Sequence, residues 1–423
     1  MQDFFTKTKL MFQDKLLRKK IIYLGVFLIL FRLLAAIPVP GVDLGRLHAL
    51  LAGNQFLGLL DIFSGGGLGN LSIVMLGVGP YITSSIIMQL ATMMFPKLKA
   101  LYHEEGEAGR LKFAQYSRLL AVPLALLQSF GFLMLLEKQG VLGDFTFFSR
   151  LVNVFIVTGG SMLLMWLGEL MTEFSIGNGV SMIIFAGIVA RIPTVLSQSI
   201  VTFDVSQIPL YLGFIIVAIS IVLGVVIVTE AERPIPVTYA KRVRGNKVYG
   251  GVSTYLPLRV NQAGVIPIIF ALSILLFPQL IFSFLVNVNS EVIKSISTFL
   301  LALISNGWFY AIAYFILVFL FTYFYTAVTF DPESIATNLQ KSGAFIPGVR
   351  PGQPTSDYIS KVLTRITLVG ASFLGAIAVL PMAVQGITGI SSLAIGGTAL
   401  LIVVSVVLDL VKKVGAQLSM REY

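Results

Sequence analysis

Apolar residues run along this chain in long unbroken stretches, with little of the two-residue alternation that marks half-buried strands. A helix that crosses a membrane needs about 20 predominantly apolar residues. Ten segments fit that pattern: residues 21–37, 71–95, 113–136, 151–171, 179–200, 208–229, 263–286, 305–328, 360–381 and 395–411. An eleventh apolar piece, 56–68, is too short to cross. It belongs to "LGLLDIFSGGGLGNLSIVMLGVGP" (Leu57–Pro80), where Gly65, Gly66, Gly67 and Gly69 follow Asp61. Glycine is the poorest helix former after proline. A dozen helical residues reach about 18 Å, roughly to mid-membrane. The pattern predicts a short helix that enters the membrane, ends at the glycines and turns back. Irregular backbone at that depth is tolerated only where protein or a water-filled cavity surrounds it.

The polar connections are unequal. Residues 230–262 and 329–359 are each a long, basic loop rich in Gly and Pro. Within the first, "YAKRVRGNKVYGG" (239–251) alternates around a central Gly-Asn, which predicts a hairpin. Within the second, "LQKSGAFIPGVRPGQPTSDY" (339–358) holds three prolines and three glycines and cannot be helical throughout. No internal repeat is legible. Two five-span halves would nevertheless lie upside down relative to each other, as in many inverted-repeat membrane proteins.

Composition agrees with a polytopic membrane protein. The chain of 423 residues is 56% hydrophobic and only 12% charged, against about 25% charged in a typical soluble domain. It contains no cysteine, which excludes disulfides and thiolate-held metals. The first twenty residues are polar and basic and lead into a span with no small-residue cleavage site, so no removable signal peptide is read.

Charge fixes the expected orientation. With the N-terminus inside, the inner segments hold 24 Lys and Arg, and the outer loops hold five: Arg46, Lys138, Arg150, Arg191 and Lys294. That asymmetry predicts both termini on the cytoplasmic side and an even span count. The expected organisation is an N-terminal segment 1–20, a first half 21–200 (spans 1–5, with the short apolar element about 57–69), an external linker 201–207, a second half 208–411 (spans 6–10), and a tail 412–423.

Candidate chemistry is sparse. There is no phosphate-binding GxxxxGK[ST], and His48 and His103 fall in loops on opposite sides. His103 precedes "EEGE", which lacks HExxH spacing. No acid–base or nucleophile–base constellation is visible, so no enzyme, metal or cofactor is expected. Charges near spans sit at their ends: Arg32, Glu169, Glu173, Glu230, Glu232 and Asp409. No charge sits at the bilayer midplane, where an ion-coupled transporter usually needs one. Polar residues do enter span 2 (Thr83, Ser84, Ser85, Gln89) and open span 7 (Asn261, Gln262, Gly264, Pro267). Such groups often serve only as glue between helices.

From about Arg18 to Leu410 the sequence resembles the SecY family, channel subunits of the bacterial Sec protein translocase. The likeness rests on "IPVPGVD" (37–43), "FSGGGL" (63–68), "GPYITSSIIMQL" (79–90), "EGEAGR" (105–110), "MWLGE" (165–169) and "IGNGVSMIIFAGIVA" (176–190). It continues in "YAKR" (239–242), "STYLPLRVNQAGVIP" (253–267), "KSGAFIPGVRPG" (341–352), "TRITLVGA" (364–371) and "GGTALLIVV" (396–404).

The resemblance implies an all-α membrane protein. Ten transmembrane helices form two inverted five-helix halves around a central hourglass pore, with a short plug helix before span 2. It implies a pore ring at Val78, Ile82, Val180, Ile184, Ile269 and Ile402. The spacing of Val78/Ile82 and Val180/Ile184 puts each pair on one helix face. An aliphatic neck offers ions no ligands and binds no passing polypeptide tightly. The plug corresponds to Leu59, Leu60, Asp61, Ile62, Phe63, Gly65, Gly66 and Gly67, with Asp61 expected to face the outer funnel.

The lateral gate corresponds to Thr83, Ser84, Ser85 and Gln89 facing Asn261 and Gln262, with Asn261 expected to bond across to Thr83–Ser85. Each polar contact there is worth about 1 kcal/mol. A signal sequence with ten leucines gains roughly 3–6 kcal/mol on entering lipid, enough to bias such a gate. Docking of the SecA ATPase or the ribosome, through rRNA, is expected at Lys241, Arg242, Arg244, Lys247 and Arg350.

The implied function is passage of unfolded secretory polypeptides across the plasma membrane and lateral release of transmembrane segments into it. Signal sequences and the lipid bilayer are implied partners, as are SecE-like and SecG-like small subunits. The family pattern is departed from at Asn70, where some members carry a basic residue, and in the short tail after Asp409. The rival reading is an inverted-repeat transporter of a small solute, which gives no reason for the thirty-residue basic loops.

Overall fold

The computed structural model describes residues 14–40, 64, 66–138, 140–143, 146–201, 208–239, 242–244, 247–249, 253–286, 290–388 and 391–419. Five apolar helices make the first half: α1 (Lys15–Ala35), α2 (Gly79–Met94), α4 (Gly106–Lys138), α5 (Phe147–Phe174) and α6 (Gly179–Val201), with a short α3 (Pro96–His103) between α2 and α4. Five more make the second: α7 (Ile208–Glu230), α8 (Ile266–Leu285), α10 (Gly307–Thr329), α12 (Gln353–Thr388) and α13 (Ser391–Ser419). Two shorter helices, α9 (Glu291–Ser305) and α11 (Pro332–Lys341), join α8 to α10 and follow α10. Four stretches among the described residues are long and apolar enough to cross a membrane: Gly106–Glu137, Phe147–Phe174, Gly307–Lys341 and Gln353–Leu380. The other six apolar segments of the sequence lie in α1, α2, α6, α7, α8 and α13.

Local chemistry sets the helix ends. The Asp14 carboxylate accepts from the Leu16 N–H at 2.9 Å and starts α1. Asn306 Oδ1 accepts from the Trp308 N–H at 3.0 Å and starts α10 one residue after α9 ends. Asp331 and Pro332 start α11, where Asp331 accepts from the Glu333 N–H at 3.1 Å.

Within the first half, α4 packs against α2 and α5, and α5 against α1 and α6. At one end of that bundle Arg150 grips Glu137 with two bonds, Nη2–Oε1 at 2.6 Å and Nε–Oε2 at 3.0 Å, closing the turn between α4 and α5. Within the second half, α12 packs against α10 and α13, α8 against α10, and α7 against α13. The halves meet along two seams. At one, α8 lies against α2 and α4; at the other, α13 lies against α6.

Span 2 is shorter as a helix than the apolar pattern predicts. Residues 71–78 are turns, and α2 begins only at Gly79. The sequence Gly77-Val78-Gly79-Pro80 explains this. Gly77 takes φ +59°, and Pro80 has no N–H for a preceding turn. Sixteen residues give about 24 Å of helix, short of a ~30 Å hydrocarbon core. The turns are tolerated because they are walled in by protein: Leu71, Val74, Met75 and Val78 are all buried. The Val39 N–H donates to Leu71 O at 2.8 Å, and the Ile73 N–H donates to Ile37 O at 2.9 Å, so this stretch pairs with the chain leaving α1.

The two long basic loops form one folded unit. Strand β1 (Glu232–Tyr239) pairs antiparallel with β4 (Ser253–Arg259), from Glu232↔Arg259 to Thr238↔Ser253. Its far end pairs with β5 (Ala344–Phe345) of the second loop through Tyr239↔Ala344. Ile235, Val237, Leu258, Ala344 and Ile346 share a buried cluster with Ile359, Val362 and Ile366 of α12. The expected hairpin is present: β2 (Arg242–Arg244) pairs with β3 (Lys247–Tyr249) around residues 245–246.

Candidate functional site

The six aliphatic residues of the expected ring come from four helices, two in each half. Val78 and Ile82 open α2, Val180 and Ile184 lie in the first turns of α6, Ile269 lies in α8 and Ile402 in α13. All six belong to a single hydrophobic cluster. Val78, Ile184, Ile269 and Ile402 are buried in it, and Ile82 and Val180 pack against it. Backbone approach brings α5 and α6 together there. A Cβ on Gly179 would lie 2.0 Å from the Gly168 carbonyl oxygen, so only glycine permits the contact.

The segment that carries Val78 into α2 is held by α5. Ser161 Oγ donates to Gly77 O at 2.8 Å. At Gly160 a Cβ would lie 2.1 Å from Ile73 O. Of the expected plug, Leu59, Leu60, Asp61, Ile62, Phe63 and Gly65 lie outside the described residues. Gly66 takes φ +81°, and a Cβ on Gly67 would meet Ser72 Oγ at 2.9 Å. Leu68, Leu71 and Met75 are buried with Leu133, Leu136, Val154 and Val157 of α4 and α5.

Of the expected gate residues, Thr83, Ser84, Ser85 and Gln89 lie on α2, which meets α8 at the first seam, and Asn261 and Gln262 lie in the turn that leads into α8. The expected bond from Asn261 to Thr83–Ser85 is not formed. The hydroxyls are satisfied within the first half: Thr83 Oγ1 donates to Gly79 O at 3.0 Å, and Ser84 Oγ donates to Ser117 O of α4. Hydroxyls on an apolar helix bond back to a carbonyl four residues earlier when no better partner is in reach. Asn261 is 6% exposed, and its Oδ1 has no hydrogen-bond partner among the described residues. Gln89 Oε1 on the opposite side is likewise buried and unpaired.

The backbone before Asn261 is pinned. The Val260 N–H donates to Ala231 O at 2.9 Å, and a Cβ on Gly370 of α12 would come within 2.5 Å of Val260 O. A buried carbonyl oxygen without a partner costs about 1–3 kcal/mol in the closed seam. On the gate role that the resemblance implies for Asn261, Asn261→Leu is expected to stabilise the closed state, lowering export of weakly hydrophobic signal sequences several-fold and sparing strong ones. Export assays over a signal series check this; unchanged stringency would remove Asn261 from gating.

Three of the acids at span ends are paired. Arg118 Nε meets Glu169 Oε1 at 2.6 Å, Lys412 Nζ meets Glu230 Oε1 at 2.8 Å, and Lys413 Nζ meets Asp409 Oδ2 at 2.7 Å. The first ties α4 to α5, the second ties α7 to α13, and the third lies within α13, a fastening role that sequence reading alone did not assign. Among the described residues no cluster of His, Cys, Asp or Glu could hold a metal.

Of the expected docking residues, Arg242, Arg244 and Lys247 lie on the β2–β3 ladder, where Arg244 faces Lys247 across the strands. Lys241 lies outside the described residues. Arg350 is exposed between Gly348 (φ +83°) and Gly352 (φ +97°), and its carbonyl accepts from Thr355 Oγ1 at 2.8 Å. The pairing of β1 with β5 ties the loop that bears Arg350 to the β4–β1–β5 sheet, while the β2–β3 hairpin, which lies between β1 and β4 in the chain, is a separate two-stranded ladder.

Two helical halves, an aliphatic knot between them, a polar seam and a basic sheet at one end define a membrane-embedded channel protein. The family model described as SecY matches residues 72–411. The protein translocase subunit SecY of Mycobacterium tuberculosis is 44% identical over 96% of this chain and 96% of its own. The chain belongs to the SecY family.

A solved SecY structure, concerned with the plug domain stabilising the closed state of the translocation channel, aligns with a TM-score of 0.66 at 20% identity. It covers 95% of this chain and 92% of that one. The Sec61 channel from a canine ribosome-channel complex aligns with a TM-score of 0.61 at 18% identity, over 95% and 92% of the two chains.

Proposed function

We propose that this chain forms the passive pore through which unfolded secretory polypeptides cross the bacterial plasma membrane, and from which transmembrane segments leave sideways into lipid. The observation that carries this reading is that the six aliphatic positions, drawn from α2 and α6 of one half and α8 and α13 of the other, all lie in the one hydrophobic cluster that both halves share. Val78, Ile82, Val180, Ile184, Ile269 and Ile402 are the neck. Residues Leu59–Gly67 are the plug that stops it. Thr83, Ser84, Ser85, Gln89, Asn261 and Gln262 line the lateral gate.

Both termini face the cytoplasm, as the excess of Lys and Arg on that side supports. The basic sheet then lies on the cytoplasmic side and receives the motor. SecA or the ribosome drives transport, and small SecE-like and SecG-like subunits complete the complex. The solved canine relative was captured with a ribosome, which supports such a partner here.

The docking role is tested by the paired reversal Arg242→Glu with Arg350→Glu. Each lost charge-assisted bond costs about 1.5–3 kcal/mol. SecA-stimulated translocation into vesicles, at limiting SecA, should fall at least roughly tenfold. Ribosome affinity, measured against salt, should lose slope in proportion to the phosphate contacts removed. Normal SecA-driven translocation by the double variant would sink the docking assignment.

A further inference from the structure

Helix α9 carries an apolar edge that its own fold leaves uncovered. It joins α8 to α10 at the ends remote from the basic sheet and packs against both. At 100° per residue its fifteen positions divide into three sectors. Ser297, 1% exposed, marks the sector packed on the protein, with Leu300, Leu301 and Ile304 partly buried around it. Glu291, Lys294, Ser295 and Thr298 form an exposed polar sector. Val292, Ile296, Phe299 and Leu303, spaced by four, three and four residues, form an exposed apolar sector in which Phe299 is 68% exposed.

A helix bathed in water has no use for that third sector, and one crossing the bilayer has no use for the second. A helix lying in the membrane surface needs both, about a quarter-turn or more apart.

The neighbouring helix says what covers the apolar edge. Asn306, extended at φ −72° and ψ 115°, breaks the chain between α9 and α10. Beyond the break α10 exposes Trp308, Ile312, Ile316 and Leu320 at every fourth position, the side of a span that faces acyl chains. Trp308 is 76% exposed at the first turn of α10, where an interfacial tryptophan belongs. The apolar edge of α9 ends at Leu303, five residues before Trp308 in the chain.

We propose that α9 is an interfacial helix whose Val292, Ile296, Phe299 and Leu303 are embedded at the headgroup–acyl boundary of the leaflet opposite the basic sheet. It thereby fixes the depth of α8 and α10, the second-half side of the gate seam, in the membrane. The choice of outer leaflet rests on the cytoplasmic placement of the sheet proposed above.

The absence of cysteine makes a clean test. Single cysteines, Phe299→Cys, Leu303→Cys and Thr298→Cys, are introduced in the full chain, purified with its partner subunits, spin-labelled and placed in phosphatidylcholine–phosphatidylglycerol nanodiscs. Accessibility to oxygen over accessibility to a water-soluble nickel chelate should be at least roughly threefold higher at 299 and 303 than at 298. Equal nickel accessibility at all three sites would put the edge in water and overturn the proposal. Shielding of 299 and 303 from both reagents would mean that a protein covers the edge, and would overturn it equally. Labelling of Thr298→Cys in intact cells by an impermeant maleimide reads the orientation separately. Reaction only from the cytoplasmic side would overturn the orientation and the choice of leaflet, while the oxygen–nickel contrast decides the embedding.

Discussion

Gly160→Ala is expected to lower the stability of the protein markedly and to make its closed state leak ions. The added methyl would sit 2.1 Å from the Ile73 carbonyl oxygen, and the obstacle is backbone on both sides. No rotamer change relieves such a contact, so the strand of turns at residues 71–78 must move away from α5. Overpacking of this kind costs about 1–3 kcal/mol where side chains can yield, and more where they cannot. The moving segment ends in Val78, a member of the proposed neck, and carries the Gly77 carbonyl that Ser161 holds at 2.8 Å. Stability and sealing should therefore fail together. Thermal unfolding in detergent should show a drop of several degrees, and planar-bilayer recordings a raised resting conductance. Ser161→Ala, which removes one hydrogen bond and no volume, should cost only about 1 kcal/mol. A Gly160→Ala protein as stable and as tight as the parent would show that residues 71–78 are not clamped.

The second large effect is expected from polar substitution in the neck. Ile184 of α6 and Ile402 of α13 are each 1% exposed and join the same cluster, and their helices pack together. Ile184→Asn with Ile402→Asn introduces two amides that cost about 1–3 kcal/mol each unless they are hydrated. Water that enters to satisfy them converts a dewetted constriction into a wet one, which is the condition for ion flow. Resting conductance should rise at least roughly tenfold. Ile184→Val with Ile402→Val, losing one methylene at each site, should cost about 0.5–1.5 kcal/mol per site and leave the seal intact. If the double asparagine variant folds and seals like the parent, the neck lies elsewhere.

Much of the fold is legible in the sequence because lipid demands long apolar runs. Each of the ten predicted segments contains an apolar helix, and the Gly-Asn hairpin is where its alternation places it. Hydropathy sees only the apolar part of a helix, so α12 runs from 353 to 388 where the pattern gives 360–381. It also reads 71–78 as part of a span, because Leu71, Val74 and Met75 are as apolar as helix residues; the decisive signal is Gly77-Val78-Gly79-Pro80, which bars a helix across it.

Helix α9 escaped because its fifteen residues are amphipathic and not uniformly apolar, although the recurrence at 292, 296, 299 and 303 was there to be counted. The pairing of β1 with β5 joins residues about a hundred positions apart, and no local pattern carries it.

At the site, the ring positions rest on family likeness, since aliphatic residues at helical spacing look like any core. Residue type alone points to a bond from Asn261 to Thr83–Ser85. It is not formed, because nearer carbonyls take the hydroxyls of Thr83 and Ser84.

The joining of the two basic loops has a mechanical consequence. The sheet shares its core with the first turns of α12, a helix of 36 residues and so about 54 Å long. The hydrocarbon it must cross is about 30 Å thick, which leaves a stiff lever projecting beyond it. A load applied at the hairpin or at Arg350 is carried by that lever into α10 and α13, against which α12 packs. Among the described residues the first half meets the loaded half at the two seams and where Leu17 and Ile176 pack on Val414 of α13. Under the docking role proposed above, a motor that gripped the sheet would apply torque to one half against the other, and the seam between α8 and α2 would bear it.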